Sequence, residues 1–348
     1  MLAAVLHDAN TIRLEQHPLP ELKPGMVLLR VLRAGICGSD LHYFEHGHCA
    51  AFVPSRPFIL GHEFTGVVEM VADGVDAVHI GNRVTANPAR SCGFCDYCKG
   101  GSPNICRKII MLGSASTKPP TDGAFAEFVT VRADQCHLLP VGMEDSQGAM
   151  IEPFSVALHA VKRSGNVSGK RVLVTGGGPI GLLVAMTART FGAAPVTLSD
   201  IVPSRRETAL RVGADSILDP CSKNLGEQVR EIAQEGFDVV FEASGARPAL
   251  RQAFDLVRPG GTIVQIGTLV TEDIPLPANQ LMNREINFIG SMRYGNVFGE
   301  AIRLVAANRV DLRPLINDVL PLQEVAKAMR VAADKNQALK VQLSVSVY

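Results

Sequence analysis

A run of apolar, β-branched residues that breaks into glycines and then into a helix-forming stretch limits this chain's fold more than any other feature. Val172-Leu173-Val174 leads into Gly176-Gly177-Gly178-Pro179-Ile180-Gly181, so Gly176, Gly178 and Gly181 satisfy the spacing G-x-G-x-x-G. The first such glycine permits a tight turn, the second lets backbone approach a pyrophosphate, and the third lets helix and strand pack closely. The helix opening at Pro179 and Ile180 then turns its first N–H groups on the negative charge.

The rhythm continues downstream. Val196-Thr197-Leu198, Ser216-Ile217-Leu218, Asp238-Val239-Val240-Phe241, Thr262-Ile263-Val264-Gln265 and Ile286-Asn287-Phe288-Ile289 read as further strands, with helix-length segments between most of them. Six such strands describe an α/β domain with a doubly wound parallel sheet of the Rossmann kind. Asp200 closes the second strand about twenty residues past the last glycine, where an acid accepts hydrogen bonds from both ribose hydroxyls and repels a 2′-phosphate. NAD is therefore preferred, and Arg205 and Arg206 leave NADP open, because a guanidinium can hold that phosphate. Gly260-Gly261 reads as a turn before the fifth strand. Gly267 and Thr268 end that strand where a nicotinamide has room to lie, and Arg293, after the sixth, is either a cleft residue or a surface arginine.

At 348 residues the chain exceeds one core of ordinary size, which favours two domains. The first 150 residues differ in texture: Val27-Leu28-Leu29-Arg30-Val31 and Thr65-Gly66-Val67-Val68-Glu69 are strand-like runs separated by turns such as Pro24-Gly25 and Asp73-Gly74. This is an irregular β domain, and Lys340-Val341-Gln342-Leu343 is a late strand able to return to it. A formal net charge of zero gives no footprint for nucleic acid. The amino terminus lacks a secretory pattern, and the longest apolar run, from Ile180 to Met186, is far too short for a membrane span. The expected location is cytoplasmic.

Cys92, Cys95 and Cys98 are separated by two residues each, and Cys106 follows after seven more. Four thiolates on short glycine-permissive loops suit tetrahedral zinc, and such a site is closed to substrate, so its metal braces a loop over residues 88–110. Cys49, Cys136 and Cys221 are expected to be small core fillers. Cys37 lies between glycines at a strand end, equally compatible with a cleft thiolate and a buried turn cysteine. His62-Glu63 offers an imidazole beside a carboxylate, and Glu152 begins a helix-like stretch, where an acid also suits the macrodipole. With a metal at Cys37, a dinucleotide domain and a zinc-capable β domain together imply hydride transfer from an alcohol carbon, zinc lowering the hydroxyl pKa. Ser39 and His42 are then spaced to pass the hydroxyl proton outward.

Cys37-Gly38-Ser39-Asp40-Leu41-His42-Tyr43, Gly61-His62-Glu63, the four-cysteine lobe, Glu152-Pro153 and the glycine motif together resemble the zinc-dependent medium-chain dehydrogenases over essentially the whole chain. The resemblance implies a GroES-like catalytic domain over residues 1–150 and 295–348 and a Rossmann domain over 151–294. It also implies one catalytic and one structural zinc. By motif match Cys37 and His62 are zinc ligands, with Glu63 and Glu152 as candidates to complete the shell. Glu152-Pro153 places the chain in the sorbitol and idonate branch. Asn87-Pro88, Gly113-Ser114-Ala115 and His42-Tyr43 are most similar to the L-idonate 5-dehydrogenases, with sorbitol, xylitol or L-iditol oxidation as the alternative and an inactive dinucleotide sensor as a remote one. Tyr43, Arg293 and Tyr294 are the implied substrate contacts, and a homotetramer or homodimer is the implied assembly. His46-Gly47-His48-Cys49 departs from the family's usual glycine-rich loop.

Overall fold

The computed structural model describes residues 1–269, 273–336 and 338–346, so the last two residues of the expected segment 295–348 lie outside it. The chain forms two compact units, Met1–Glu152 with Phe298–Tyr348, and Pro153–Val297. Glu152, assigned above to the nucleotide span, closes the first unit instead.

The first unit is built on the strand Met26–Gly35, whose Val27, Leu29, Val31 and Ala34 are fully buried. It pairs antiparallel with Glu63–Val71 on one edge, and with Phe128–Arg132 and Lys340–Ser344 along the other. The carboxy-terminal strand therefore does return to the first unit, opposing Gln342 to Gly35 and running parallel to Ile316–Pro321. Arg83–Ala86 and Cys136–Leu138 extend the sheet beyond Glu63–Val71. Phe64, Phe125, Val341 and Leu343 fill the core against it. Full burial of side chains this size stabilises by roughly 1.5–3 kcal/mol each.

The second unit holds six parallel strands in the order Ser216–Leu218, Val196–Ser199, Val172–Thr175, Phe237–Glu242, Val257–Gln265, Asn287–Gly290. Each run read from the sequence forms its strand. The fifth starts earlier than expected: Gly260-Gly261 lies inside Val257–Gln265 instead of preceding it, and the pairing with Phe237–Glu242 shifts register there. Gly260 takes a positive φ of 69°, so the chain kinks without leaving the sheet. The inner strands Val172–Thr175 and Val196–Ser199 are buried along their whole length, which is why they read as near-continuous apolar runs. Among the described residues no helix is long and apolar enough to cross a membrane.

Candidate functional site

Cys37 sits between the end of Met26–Gly35 and the helix Gly38–His46, at the N-cap position of that helix. Asp40, fully buried in the first turn, accepts the N–H of Cys37 at 2.9 Å and, through its other oxygen, the N–H of Gly61 at 3.2 Å. One carboxylate thereby fixes both loops that carry the donors. His62 follows with Nδ1 3.7 Å from Asp40 Oδ1, and Glu63 opens the next strand. Cys37 Sγ, a ring nitrogen of His62 and a carboxylate oxygen of Glu63 all lie within 4.8 Å of one another.

Glu63 has a partner that the sequence did not announce. It stands directly opposite Gly35 on the neighbouring strand. A side chain at Gly35 would put its Cβ 2.2 Å from Glu63 Oε2, so glycine opens the space the carboxylate occupies. On the far side of Gly35, Lys340 reaches across that gap: its Nζ donates to both Glu63 oxygens, at 2.8 and 2.7 Å, and to the Ile36 carbonyl at 3.0 Å. Lys340 and Glu63 are 3% and 1% exposed, which makes this a buried ion pair. Glu63, expected as a metal ligand, thus has both oxygens on an ammonium. Glu152 is also buried, in the first turn of Ile151–Arg163, outside the close set of three donors.

The field here favours a cation. Burial, the largest effect on His62, lowers its pKa, yet Asp40, Cys37 and Glu152 outweigh it and hold the imidazole well above its ordinary value. The Lys340 ammonium is likewise raised against burial by Glu63, Cys37 and Glu152. A thiol, an imidazole and carboxylates held in an electronegative, nearly dry recess are the donors a catalytic zinc takes. The residues fit that metal.

The lobe fits a different site. The Sγ–Sγ separations are 3.5 Å for Cys95–Cys98 and 3.9 Å for both Cys92–Cys98 and Cys95–Cys106. Four sulfurs about 2.3 Å from one ion at tetrahedral angles stand about 3.8 Å apart, and a disulfide would need about 2 Å. The N–H groups of Cys92 and Lys108 both point at Cys106 Sγ at 3.3 Å, as donors do around thiolates. Backbone N–H groups of Cys98 and Arg107 push the Cys95 thiol down to about 6. Of the other cysteines, Cys49 and Cys136 are half-buried, and burial raises their thiols to about 11 and about 12, as befits inert fillers. Cys221 is exposed, contrary to expectation, because it falls in the turn after Ser216–Leu218.

Ser39 is half-buried in the first turn of Gly38–His46, and His42 is exposed one turn later. Tyr43 is 2% exposed, its ring edge-on to Phe58, and its hydroxyl accepts the Ala115 N–H at 3.0 Å. The structure puts it in the core and not, as expected, open to substrate. Tyr294 is buried as well, while half-buried Arg293 holds a positive φ of 51°, a conformation uncommon outside glycine and characteristic of functional loops.

In the second unit Gly176 takes a φ of 97°, and a Cβ at Gly181 would lie 1.8 Å from the Gly176 carbonyl, so only glycine lets Pro179–Thr190 start there. Asp200 Oδ2 accepts the Gly177 N–H at 2.6 Å and Oδ1 the Val202 N–H at 2.7 Å, tying the glycine turn to the end of the second strand. Arg205 has its Cβ against Gly177, and Arg206 is engaged with the Asp200 carbonyl and with Asp219. Sequence reasoning missed Glu242. This fully buried carboxylate accepts the N–H groups of Ser244 and Gly245, at 2.8 and 3.0 Å, and bonds from Ser244 Oγ and Gln265 Nε2. A Cβ at Gly267 would come within 2.8 Å of it, so Glu242 joins the loops after two adjacent strands. An acid at the inner end of an apolar run was the available signal.

Comparison with known proteins agrees with this geometry. Residues 23–141 match the alcohol dehydrogenase GroES-like domain, and residues 179–307 match the zinc-binding dehydrogenase domain. The chain is 36% identical to sorbitol dehydrogenase of Bacillus subtilis over 98% of its own length and 96% of that protein's. It is 36% identical to D-xylulose reductase A of Aspergillus oryzae, covering 94% and 92% of the two chains. The crystal structure of L-idonate 5-dehydrogenase from Escherichia coli K-12 superposes with a TM-score of 0.93 at 32% identity, over 99% of this chain and 98% of that one.

Proposed function

The chain belongs to the zinc-dependent alcohol dehydrogenase family that acts on CH–OH groups, and from that premise we propose that it oxidises a secondary hydroxyl of a sugar acid or polyol with NAD. The preferred substrate in this reading is L-idonate, giving 5-keto-D-gluconate. The observation that carries it is the close set of half-buried Cys37 with buried His62 and Glu63; on the helix that follows Cys37 stand half-buried Ser39 and exposed His42.

Cys37 and His62 hold the metal in this account, with Asp40 fixing the loops on which they stand. Bound zinc supplies Lewis acidity that brings the substrate hydroxyl pKa toward neutrality. Glu63, which accepts both bonds from Lys340, and Glu152 are the carboxylates that would complete the metal's donor set. Ser39 takes up the hydroxyl proton and His42, exposed, releases it to solvent. Gly176, Gly178, Pro179, Ile180 and Gly181 would receive the pyrophosphate of a bound dinucleotide and Asp200 its ribose, and the cofactor would supply the hydride acceptor. Gly267 and Thr268 would border its nicotinamide. Arg293 is the residue of the second unit whose guanidinium would match a sugar-acid carboxylate. Zinc in the four-cysteine lobe is structural, and the working form is a cytoplasmic homotetramer or homodimer.

Neutral polyols are the second reading, favoured by the match to a sorbitol dehydrogenase and a D-xylulose reductase. An inactive sensor is disfavoured because every donor and relay group is present. The test is NADH and NADPH formation by the zinc-loaded protein on L-idonate, D-gluconate, sorbitol, xylitol, L-iditol and L-threonine. Preference for L-idonate is the expected result; preference for sorbitol or xylitol replaces it with the polyol reading, and no turnover on any of them contradicts both.

A further inference from the structure

The departure at His46-Gly47-His48 plays no part in the reading above, yet it gathers imidazoles. His42 and His46 lie one turn apart on Gly38–His46, with ring centroids 5.8 Å apart. Gly47 then takes a left-handed φ of 73° and donates to the Tyr43 carbonyl, which ends the helix and turns the chain back. The His48 ring consequently lies 6.3 Å from that of His46. Two imidazoles bound to one tetrahedral ion at Zn–N of about 2.0–2.1 Å hold their centroids about 5 Å apart. As they stand the rings do not converge on one point, so binding requires the exposed side chains to rotate inward.

We propose that His42, His46 and His48 form a binding site for a divalent cation of the imidazole-preferring class, Zn2+ first among them, and that filling it inhibits turnover by occupying His42. His48 carries a second, independent mark of such a ligand. Its Nδ1 lies 3.1 Å from the Ala50 carbonyl, an acceptor, so Nδ1 carries the hydrogen and Nε2 keeps its lone pair outward. Metal-binding histidines are anchored in this way through the other ring nitrogen. All three side chains are exposed, which leaves room for water to complete a tetrahedron. Burial, and after it His46, lowers the His42 pKa and keeps the ring in the neutral form that binds metal. Of the charged neighbours, Glu45 favours a cation and Lys335 opposes one, so the imidazole nitrogens decide affinity. Neither His46 nor His48 belongs to the donor set at Cys37.

The inhibitory part rests on His42 as the proton exit, whereas the binding part does not. The experiment is equilibrium dialysis of the zinc-loaded protein against stepped free Zn2+, with metal content and initial rate read on the same samples. Wild type should take up one further zinc per chain and lose rate with the same midpoint. His46→Gln and His48→Gln should each weaken that uptake by about 10–100-fold and lose the inhibition, with their rates in low zinc unchanged. Equal uptake by wild type and the His46→Gln/His48→Gln double variant would overturn the site. Uptake without inhibition would overturn the blocking of His42. Uptake by a chain with no dehydrogenase activity would instead sink the functional reading and leave the site standing.

Discussion

The two units build their sites in opposite ways. The second builds from backbone: a turn of three glycines, a helix start and one aspartate that ties two loops together, all but the aspartate within six consecutive residues. The first builds from side chains drawn from residues 37, 40, 62, 63, 152 and 340, and buries charge to do it. Backbone donors come already paired or solvated and fix a ligand by position. Buried charges have to be matched to one another, so the first unit's site is the more sensitive to single substitutions.

That contrast predicts a ranking. Lys340→Met leaves the Glu63 carboxylate buried without its ammonium and should cost about 3 to 5 kcal/mol in urea unfolding. The Glu63→Gln/Lys340→Met double variant should recover part of the loss, since removing both charges removes the unpaired one. A loss below about 1 kcal/mol for Lys340→Met would mean that the pair matters no more than a surface one. In the second unit Asp200→Asn retains one acceptor for the glycine turn and removes the charge. It should relax the proposed preference for NAD over NADP by at least roughly tenfold, about 1.4 kcal/mol, in steady-state kinetics with each cofactor. An unchanged ratio would place ribose reading elsewhere.

The smallest effect belongs to charges at the rim of the second unit. Burial raises Asp238, but Arg258 and Arg171 outweigh it and hold the carboxyl below its usual value. A carboxylate lowered on folding stabilises above its unfolded pKa of roughly 3.9 and loses that contribution as pH falls through the lower folded value. Arg258→Ala should therefore cost under about 1 kcal/mol at neutral pH, and the gap to wild type should close on acidification. A gap that widened in acid would reverse the sign of the argument.

The same contrast explains what could be read from the sequence. The glycine turn, the six strands and the four-cysteine lobe are local patterns, in which spacing carries geometry. Cys37, His62 and Glu63 were legible as donors because they lie in short motifs. Lys340 was seen as a strand residue and not as the partner of Glu63, because that contact depends on a register across three strands with Gly35 between them. Asp40 had no assigned role, since its two hydrogen bonds join loops that only folding brings together. Tyr43 was misplaced for a related reason. The family resemblance implied it as a substrate contact, whereas successive residues on a helix point about 100° apart, and Tyr43 points into the core.

The central claim is that the charge-built centre of the first unit holds the metal for turnover while the second unit binds cofactor by itself. Its most direct test is Cys37→Ala in zinc-loaded protein, with NADH binding followed by fluorescence titration and oxidation rate measured on the preferred substrate. The account predicts a rate at background and an NADH affinity equal to wild type; a near-normal rate, or NADH binding lost along with the rate, would contradict it.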